Sequence, residues 1–560
     1  MIKEIQLPFD LNLPPAQILK AGSLSCMYEM GNLRYICLGK TELVRKVYGA
    51  VRNENWTTIP YKIQNENVII NESGFTISYT AIYTSDINLY KADYHIEGKA
   101  DNSISFSMKG IALASFKRNR IGLCLLHPLK ECYNRKAIVT KPDGTVYHSV
   151  FPELVSPSLP FLEMSQLHWV TEDNLTVRLH FEGDIFETED QRNWSDSSYK
   201  TYSTRSDIPI PVEVNQGDTI EQRTTIQISG IASNTLTELH NETSEVKVPF
   251  PQIGYSRSLN GPLINAGTID WITNIPFDHY RVTIVLNQSE WIRQLQDALM
   301  EAIQINTRLE LVVFFSDDYK NEIIQLADLL TERQLLIKSI LVLQQQYTVS
   351  SPELLLYLYP IIKAKLPAVK TGYGTDLIFV DVNQNRPEQI PFDFISFGLH
   401  PQAHAFDNRS VLENLQNQPD IMKTAIHISA GKPVYISPIT LKDRNSGADE
   451  RQYSSLAAFW TLISLQNFSE AYSITLYELF GPAGILSIDE NKNSDTVIVQ
   501  PSPVYEVLST INNFQPVWVI KRYTGDELLM DGLLLENDEG DRLFFKEPEE
   551  YKFATGIELA

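Results

Sequence analysis

Residues 280–314 read YRVTIVLNQSEWIRQLQDALMEAIQINTRLELVVF, and this stretch decides the fold. Its two ends are short apolar runs of strand length. Between them Trp291, Leu295, Leu299 and Ile303 recur every four residues, with Ile292 and Ala302 on the neighbouring rows. That is the stripe of an amphipathic helix over 289–306. Ser289 stands where an N-cap hydroxyl would accept the first free N–H groups. Strand, helix, strand at this spacing is a βαβ unit, which builds parallel sheet.

The alternation runs on in both directions. Strand patterns fall at 252–255, 280–286, 308–314, 337–343, 368–373, 394–398, 433–437 and 472–477. Helical patterns fall at 260–275, 289–306, 317–334, 351–365, briefly near 376–382, then at 410–428, 453–468 and 502–513. Eight strands, each followed by a helix, predict a (β/α)8 TIM barrel over residues 249–514. An open doubly wound sheet would not usually need eight units.

Residues 1–248 carry a different signature. The stretches 68–84, 103–116 and 174–181 alternate with period two, and Pro142-Asp143-Gly144 and Gln216-Gly217-Asp218 read as turns. Many strands with no intervening helix predict an antiparallel β-sandwich. Residues 515–560 return to strand pattern at 516–523, 528–535 and 542–546. This segment is too short for a core of its own, so it is expected to pack on the barrel or join the sandwich.

Composition narrows the function. Forty-seven Lys and Arg stand against 69 Asp and Glu, a formal charge of −22. Nucleic acid and anionic membrane surfaces both demand a basic footprint, so neither is an expected partner. The best candidate for a membrane span, Leu335 to Leu343, is strand-sized and broken by Lys338, and the N-terminus lacks a signal-peptide pattern; a cytoplasmic protein is expected. Cys26, Cys37, Cys124 and Cys132 form no CxxC and read as buried small hydrophobes rather than a redox or zinc site. Sequons such as Asn174-Leu175-Thr176 read as accidental. Oligomeric state is not legible.

Barrel enzymes place their chemistry at the C-terminal ends of the strands, which turns the strand list into a residue list. Strand one ends at Tyr255, strand five leads to Asp381, Asn383 and Arg386, and strand six to His400, His404 and Asp407. Strand seven ends at Ser437 and Thr440, and strand eight at Tyr477 and Glu478. Glu478, Asp381 and His400 are the candidate catalytic groups, because carboxylates and imidazole move protons near neutral pH. Tyr255, Asn383, Arg386, His404, Asp407, Ser437 and Tyr477 are candidate substrate contacts. His400 and His404 share the spacing of a zinc helix, but Pro401 and Gln402 spoil that motif, so no metal ligand and no cofactor is expected. No GxSxG elbow or GxGxxG fingerprint occurs. In the sandwich, Glu187 to Trp194 reads ETEDQRNW, and Trp194 beside Arg192 suggests a packed loop, with Arg192 a further candidate contact.

Several ordered blocks resemble one family. They include Asn119-Arg120-Ile121-Gly122-Leu123-Cys124, Phe151-Pro152-Glu153-Leu154, Glu189 to Trp194, Asn383-Gln384-Asn385-Arg386-Pro387, Pro401 to Asp407, and Tyr477-Glu478 before Gly481. The chain is similar over most of its length to the D-apionate lactonases of bacterial apiose catabolism. The resemblance implies hydrolysis of D-apionolactone, a five-membered sugar lactone, to D-apionate, and a sandwich, barrel and small C-terminal β segment. The chain departs from the family pattern at Asp381, at Gln384 and over 441–451. A sugar lactone is therefore the expected partner. The alternatives are a glycoside hydrolase pairing Asp381 with Glu478, and a sugar-binding protein without turnover.

Overall fold

A computed structural model describes residues 2–7, 11–230, 243–258, 262–490, 497–548 and 551. They divide into two compact units, and the short segment Asn193–Asp196 belongs with the barrel.

The barrel strands are β1 (Gln252–Ser256), β2 (His279–Val285), β3 (Arg308–Phe315), β4 (Ile337–Gln344), β5 (Lys370–Ile378), β6 (Phe394–Leu399), β7 (Val434–Ile439) and β8 (Ser473–Phe480). Each pairs in parallel with the next, and β1 pairs in parallel with β8, closing the ring. The expected (β/α)8 architecture is present.

Helix Trp291–Gln304 buries Trp291, Leu295, Ala298, Leu299 and Ala302. Ile292 and Ile303, at the margins of the stripe, are exposed. The cap position falls on Glu290, which makes no side-chain cap bond, so Ser289 lies one residue outside the expected role. Ser351, Ser454 and Ser502 do cap their helices with side-chain oxygens. The pattern at 410–428 resolves into Asn408–Glu413 and Gln418–Ile428 joined by a 3-10 turn. A hairpin strand pair, Gly484–Glu490 with Val497–Pro501, stands between β8 and the last helix, Pro503–Phe514.

The barrel interior is polar where branched aliphatics are usual. Lys338 Nζ lies 2.8 Å from Asp278, 2.8 Å from the Ser473 hydroxyl and 3.0 Å from His279 Nδ1. His279 Nε2 is 2.8 Å from the Thr475 hydroxyl. Thr475 and Ser437 both donate to Glu310, and Ser437 also accepts from Arg281 Nε at 3.1 Å. Each buried charge costs several kcal/mol in lost hydration, so the column persists only because its members are mutually paired. Lys338, which interrupts an apolar strand in the sequence, is one end of it.

The second unit holds two nine-stranded antiparallel sheets. Their inward faces supply one core, with Ile36, Val47, Ile77, Ile96, Phe106, Leu123, Trp169 and Leu179 buried. The alternating run 68–84 is divided by a turn at Asn71–Gly74 into the hairpin Tyr61–Ile70 and Phe75–Thr84. All four cysteines are buried and free.

The C-terminal strands Pro516–Thr524, Gly532–Asn537 and Arg542–Lys546 pair with neither nine-stranded sheet. They form a sheet with Ile2–Gln6 at one edge and Thr243–Pro249 at the other. Those two outer strands read in sequence as part of the sandwich. Backbone hydrogen bonding places them here, because pairing over such separations leaves no local pattern. Among the described residues no helix is long and apolar enough to cross a membrane.

Candidate active site

A cavity of about 290 Å³ opens at the C-terminal ends of β5, β6 and β7. The end of β5 contributes Asp376, Leu377 and Ile378, and the short helix after it, Phe379–Gln384, contributes Val380 and Asp381. From β6 come Gly398, Leu399 and His400. Pro438 and Thr440 come from β7, and Asp443, Arg444 and Asn445 from the loop behind it. Trp194 completes the lining.

Local sequence explains why β5 carries so much of this wall. Gly374 sits at φ +156, and a Cβ there would lie 1.9 Å from the Ser396 carbonyl oxygen. Only glycine fits, and the register with β6 breaks between Gly374 and Ile378. The strand therefore continues past its sequence-read end at 373 and carries Asp376 to the cavity. Asp376 was missed for that reason; the signal was the Thr375-Asp376-Leu377 continuation beyond the glycine.

The ionisable groups of the cavity are differently tuned. Burial pushes the Asp381 carboxyl above the ordinary aspartate range, partly offset by a hydrogen bond from Thr348. Burial lowers the His400 pKa, against the opposing charges of Asp443 and Asp196, and favours the neutral ring. Its Nδ1 accepts the Gln402 N–H at 3.3 Å, which places the neutral ring's proton on Nε2. Asp376 shows the opposite outcome: burial would raise it, but Arg281 and Arg444 outweigh burial and keep it ionised. Arg444 pairs with its carboxylate at 2.7 Å, and the buried Arg281 pairs with the other oxygen.

Of the sequence-predicted site residues, Asp381 and His400 meet in this cavity, with the strand-seven end Thr440 beside them; the others are not in its lining. Tyr477 has φ +46 and is the extra residue of a bulge, since Tyr255 faces Leu476 whereas Ser256 faces Glu478. The bulge turns the Tyr477 hydroxyl outward onto Thr461 of helix Ser455–Asn467, at 2.7 Å. Glu478, the sharpest sequence candidate, is half-buried, does not line the cavity, and lies near enough to Tyr280 to raise that phenol's pKa together with burial and Glu301. Tyr255 also packs away from the mouth, against Phe277 with ring centroids 5.1 Å apart. Ser437 is inside the barrel, committed to Glu310, Thr475 and Arg281.

Asn383, Arg386 and His404 act as fasteners. Asn383 Nδ2 donates to Asn193 Oδ1 at 2.8 Å, and Arg386 Nη2 donates to Asn383 Oδ1 at 2.8 Å. His404 Nδ1 donates to Asp196 Oδ2 at 2.5 Å. Asp407 caps helix Asn408–Glu413 by accepting the Ser410 N–H at 3.0 Å. Arg192 is fully buried in the other unit, where it forks onto Asp190 and donates to the carbonyls of Pro152 and Glu153. These contacts lie within that unit, whereas its neighbour Trp194 lines the cavity. Among the described residues no three His, Cys, Asp or Glu side chains are grouped so as to hold a metal ion.

A (β/α)8 barrel with a carboxyl, a neutral imidazole and a guanidinium at its C-terminal mouth is built as an enzyme. Residues 8–231 match the D-apionate lactonase N-terminal domain, and residues 264–448 match the D-apionate lactonase TIM barrel domain. A D-apionate lactonase of Brucella anthropi is 26% identical over 534 residues, covering 88% of this chain and 87% of that protein. Among solved structures, a GH30 endoxylanase from Clostridium papyrosolvens is 10% identical over 53% of this chain and 80% of its own, at a TM-score of 0.34. A GalM/aldose epimerase homologue from C. elegans is 9% identical over 39% of this chain and all of its own, at a TM-score of 0.25. The chain belongs to the D-apionate lactonase family. It is an enzyme of the lactone-opening kind, a carboxylic ester hydrolase.

Proposed function

We propose that this cavity opens D-apionolactone, or a closely related five-membered aldonolactone, to the aldonate. The observation that carries the reading is that Asp381 and His400 line one cavity: a carboxylate that accepts a proton and a neutral ring that keeps its proton on Nε2. Asp381 takes a proton from water as the water oxygen bonds to the lactone carbonyl carbon. His400 Nε2–H donates to the oxygen on which negative charge develops. Collapse of the tetrahedral intermediate breaks the bond to the ring oxygen, which recovers the proton from Asp381 as a hydroxyl. The carboxylic acid formed ionises, so each turnover releases one proton. Thr440, Asn445 and Arg444 are the polar groups available to the sugar hydroxyls.

Asp381 takes the base role in place of Glu478 because Asp381 lines the cavity and Glu478 does not. The same placement removes the support for a glycosidase pair of these two carboxylates, which needs both at one sugar ring. The test is acid release by purified protein on a panel of five- and six-membered aldonolactones, D-apionolactone included, after EDTA treatment and again with divalent cations added. Release well above the uncatalysed rate, lost in Asp381→Asn, is expected. No release on any lactone in either condition would overturn the reading.

A further inference from the structure

We propose that Trp194 is the residue by which the cavity recognises its sugar ring, the C–H face of a five-membered ring packing on the indole. The inference rests on the lactonase reading of the cavity and adds the element that selects a ring over an open chain.

Trp194 is half-exposed and lines the cavity, whereas Asn193, Ser195 and Asp196 around it are buried. The indole is thus the side chain that this segment presents. The segment is held at both ends, by Asn383 on Asn193 at 2.8 Å and by His404 on Asp196 at 2.5 Å. The His404 ring also meets the indole edge-on, with centroids 5.7 Å apart. Ser195 adopts φ +70, a left-handed conformation disfavoured for any residue but glycine. Such strain persists where surrounding contacts fix it, and here it lies directly beside the presented ring.

The chemistry fits a sugar lactone. Its hydroxyls and carbonyl need polar partners, which Asp381, His400 and Arg444 offer; its C–H face needs a flat apolar one. An indole supplies a large rigid apolar face at little conformational cost. The ring-opened aldonate lacks a planar-edged face to stack, so loss of this contact on opening favours product departure.

The test uses 1,4-anhydroerythritol, a five-membered ring diol with no bond to hydrolyse, on the full chain and on Trp194→Phe and Trp194→Ala. Calorimetry and tryptophan fluorescence are read together, with circular dichroism to confirm folding. Wild type is expected to bind with a fluorescence change. Trp194→Phe should bind within about threefold of it without that change. Trp194→Ala should weaken binding, and raise KM for five-membered lactones, by roughly tenfold or more, with kcat changed far less. Unaltered binding and KM in Trp194→Ala, binding without a fluorescence change, or no binding by wild type at millimolar ring would each overturn the proposal. Ring binding through Trp194 in a protein that opens no lactone would instead sink the lactonase reading and leave this one standing.

Discussion

His404 Nδ1 and Asp196 Oδ2 stand 2.5 Å apart, although 208 positions separate them in the chain. A histidine that reads in sequence as a substrate contact is bonded to the segment that carries Trp194. His404→Ala should therefore raise KM for lactone about tenfold while kcat changes little, and His404→Asn, which keeps a donor, should recover most of the loss. A fall in kcat at constant KM would place His404 in the chemistry instead.

The two carboxylates favoured by sequence now have opposite expectations. Asp381→Asn should lower kcat at least a hundredfold, the scale of a lost general base. Glu478→Gln should stay within about threefold of wild type, since Glu478 does not line the cavity. Steady-state rates on one lactone decide between them, and the reverse ranking would restore the strand-eight carboxylate as base.

His400 and Asp381 set the pH dependence. Catalysis as proposed needs neutral His400, whose pKa burial lowers, and ionised Asp381, whose pKa burial raises. Both conditions are met on the alkaline side of each pKa, so kcat/KM should rise with pH through the acid range and level off by about pH 6.5, the ordinary histidine value. His400→Gln should lower the plateau about a hundredfold. A profile that falls as pH rises through that value would mean that charged His400 is the active form.

Asp376 pairs with two guanidinium groups, one on each oxygen, and Arg281 is almost fully buried. Asp376→Asn takes from that buried charge the carboxylate that pairs directly with it. Urea denaturation should show a loss of about 3 kcal/mol, the range for one-sided removal of a buried pair. A stability unchanged within error would show that solvent already screens both arginines.

In the sandwich unit His127 is fully buried between Phe151 and Trp169, and burial lowers its pKa to about 3. The folded state refuses a proton that the unfolded chain accepts near pH 6.5. Its contribution to stability is complete above pH 6.5 and is lost as pH falls toward 3, about 5 kcal/mol in all. His127 Nε2 is hydrogen-bonded to the Thr201 hydroxyl at 2.7 Å. His127→Gln, which can keep that bond, should move the acid-unfolding midpoint to lower pH; an unmoved midpoint would assign acid unfolding to other groups.

The barrel was legible because its helices carry stripes such as Trp291, Leu295 and Leu299, and its strands are short apolar runs between them. The site was half legible. His400 follows a regular strand, and strand-end counting finds it; Asp381 lies just beyond a strand read too short. Asp376 was hidden because Gly374 breaks the strand pattern before it, and Glu478 was overvalued because the left-handed Tyr477 reverses the alternation ahead of it. The buried column of His279, Arg281, Glu310 and Lys338 could not be read at all, since a charged residue within an apolar strand signals an interruption until its partners are known. Trp194 stood out as a residue, but the side chains that hold it, Asn383 and His404, are distant in sequence.

The parallel pairing of Ile2–Gln6 with Arg542–Lys546 orders events during synthesis. Ile2–Gln6 leaves the ribosome long before its partner and must wait, unpaired, until Arg542–Lys546 has been made. The two nine-stranded sheets, by contrast, draw all their strands from residues 17–229 and can close while the barrel is still being translated. A ribosome stalled before residue 542 would thus carry a chain in which Ile2–Gln6 still has an open hydrogen-bonding edge, the kind of edge that chaperones cover and that aggregation exploits.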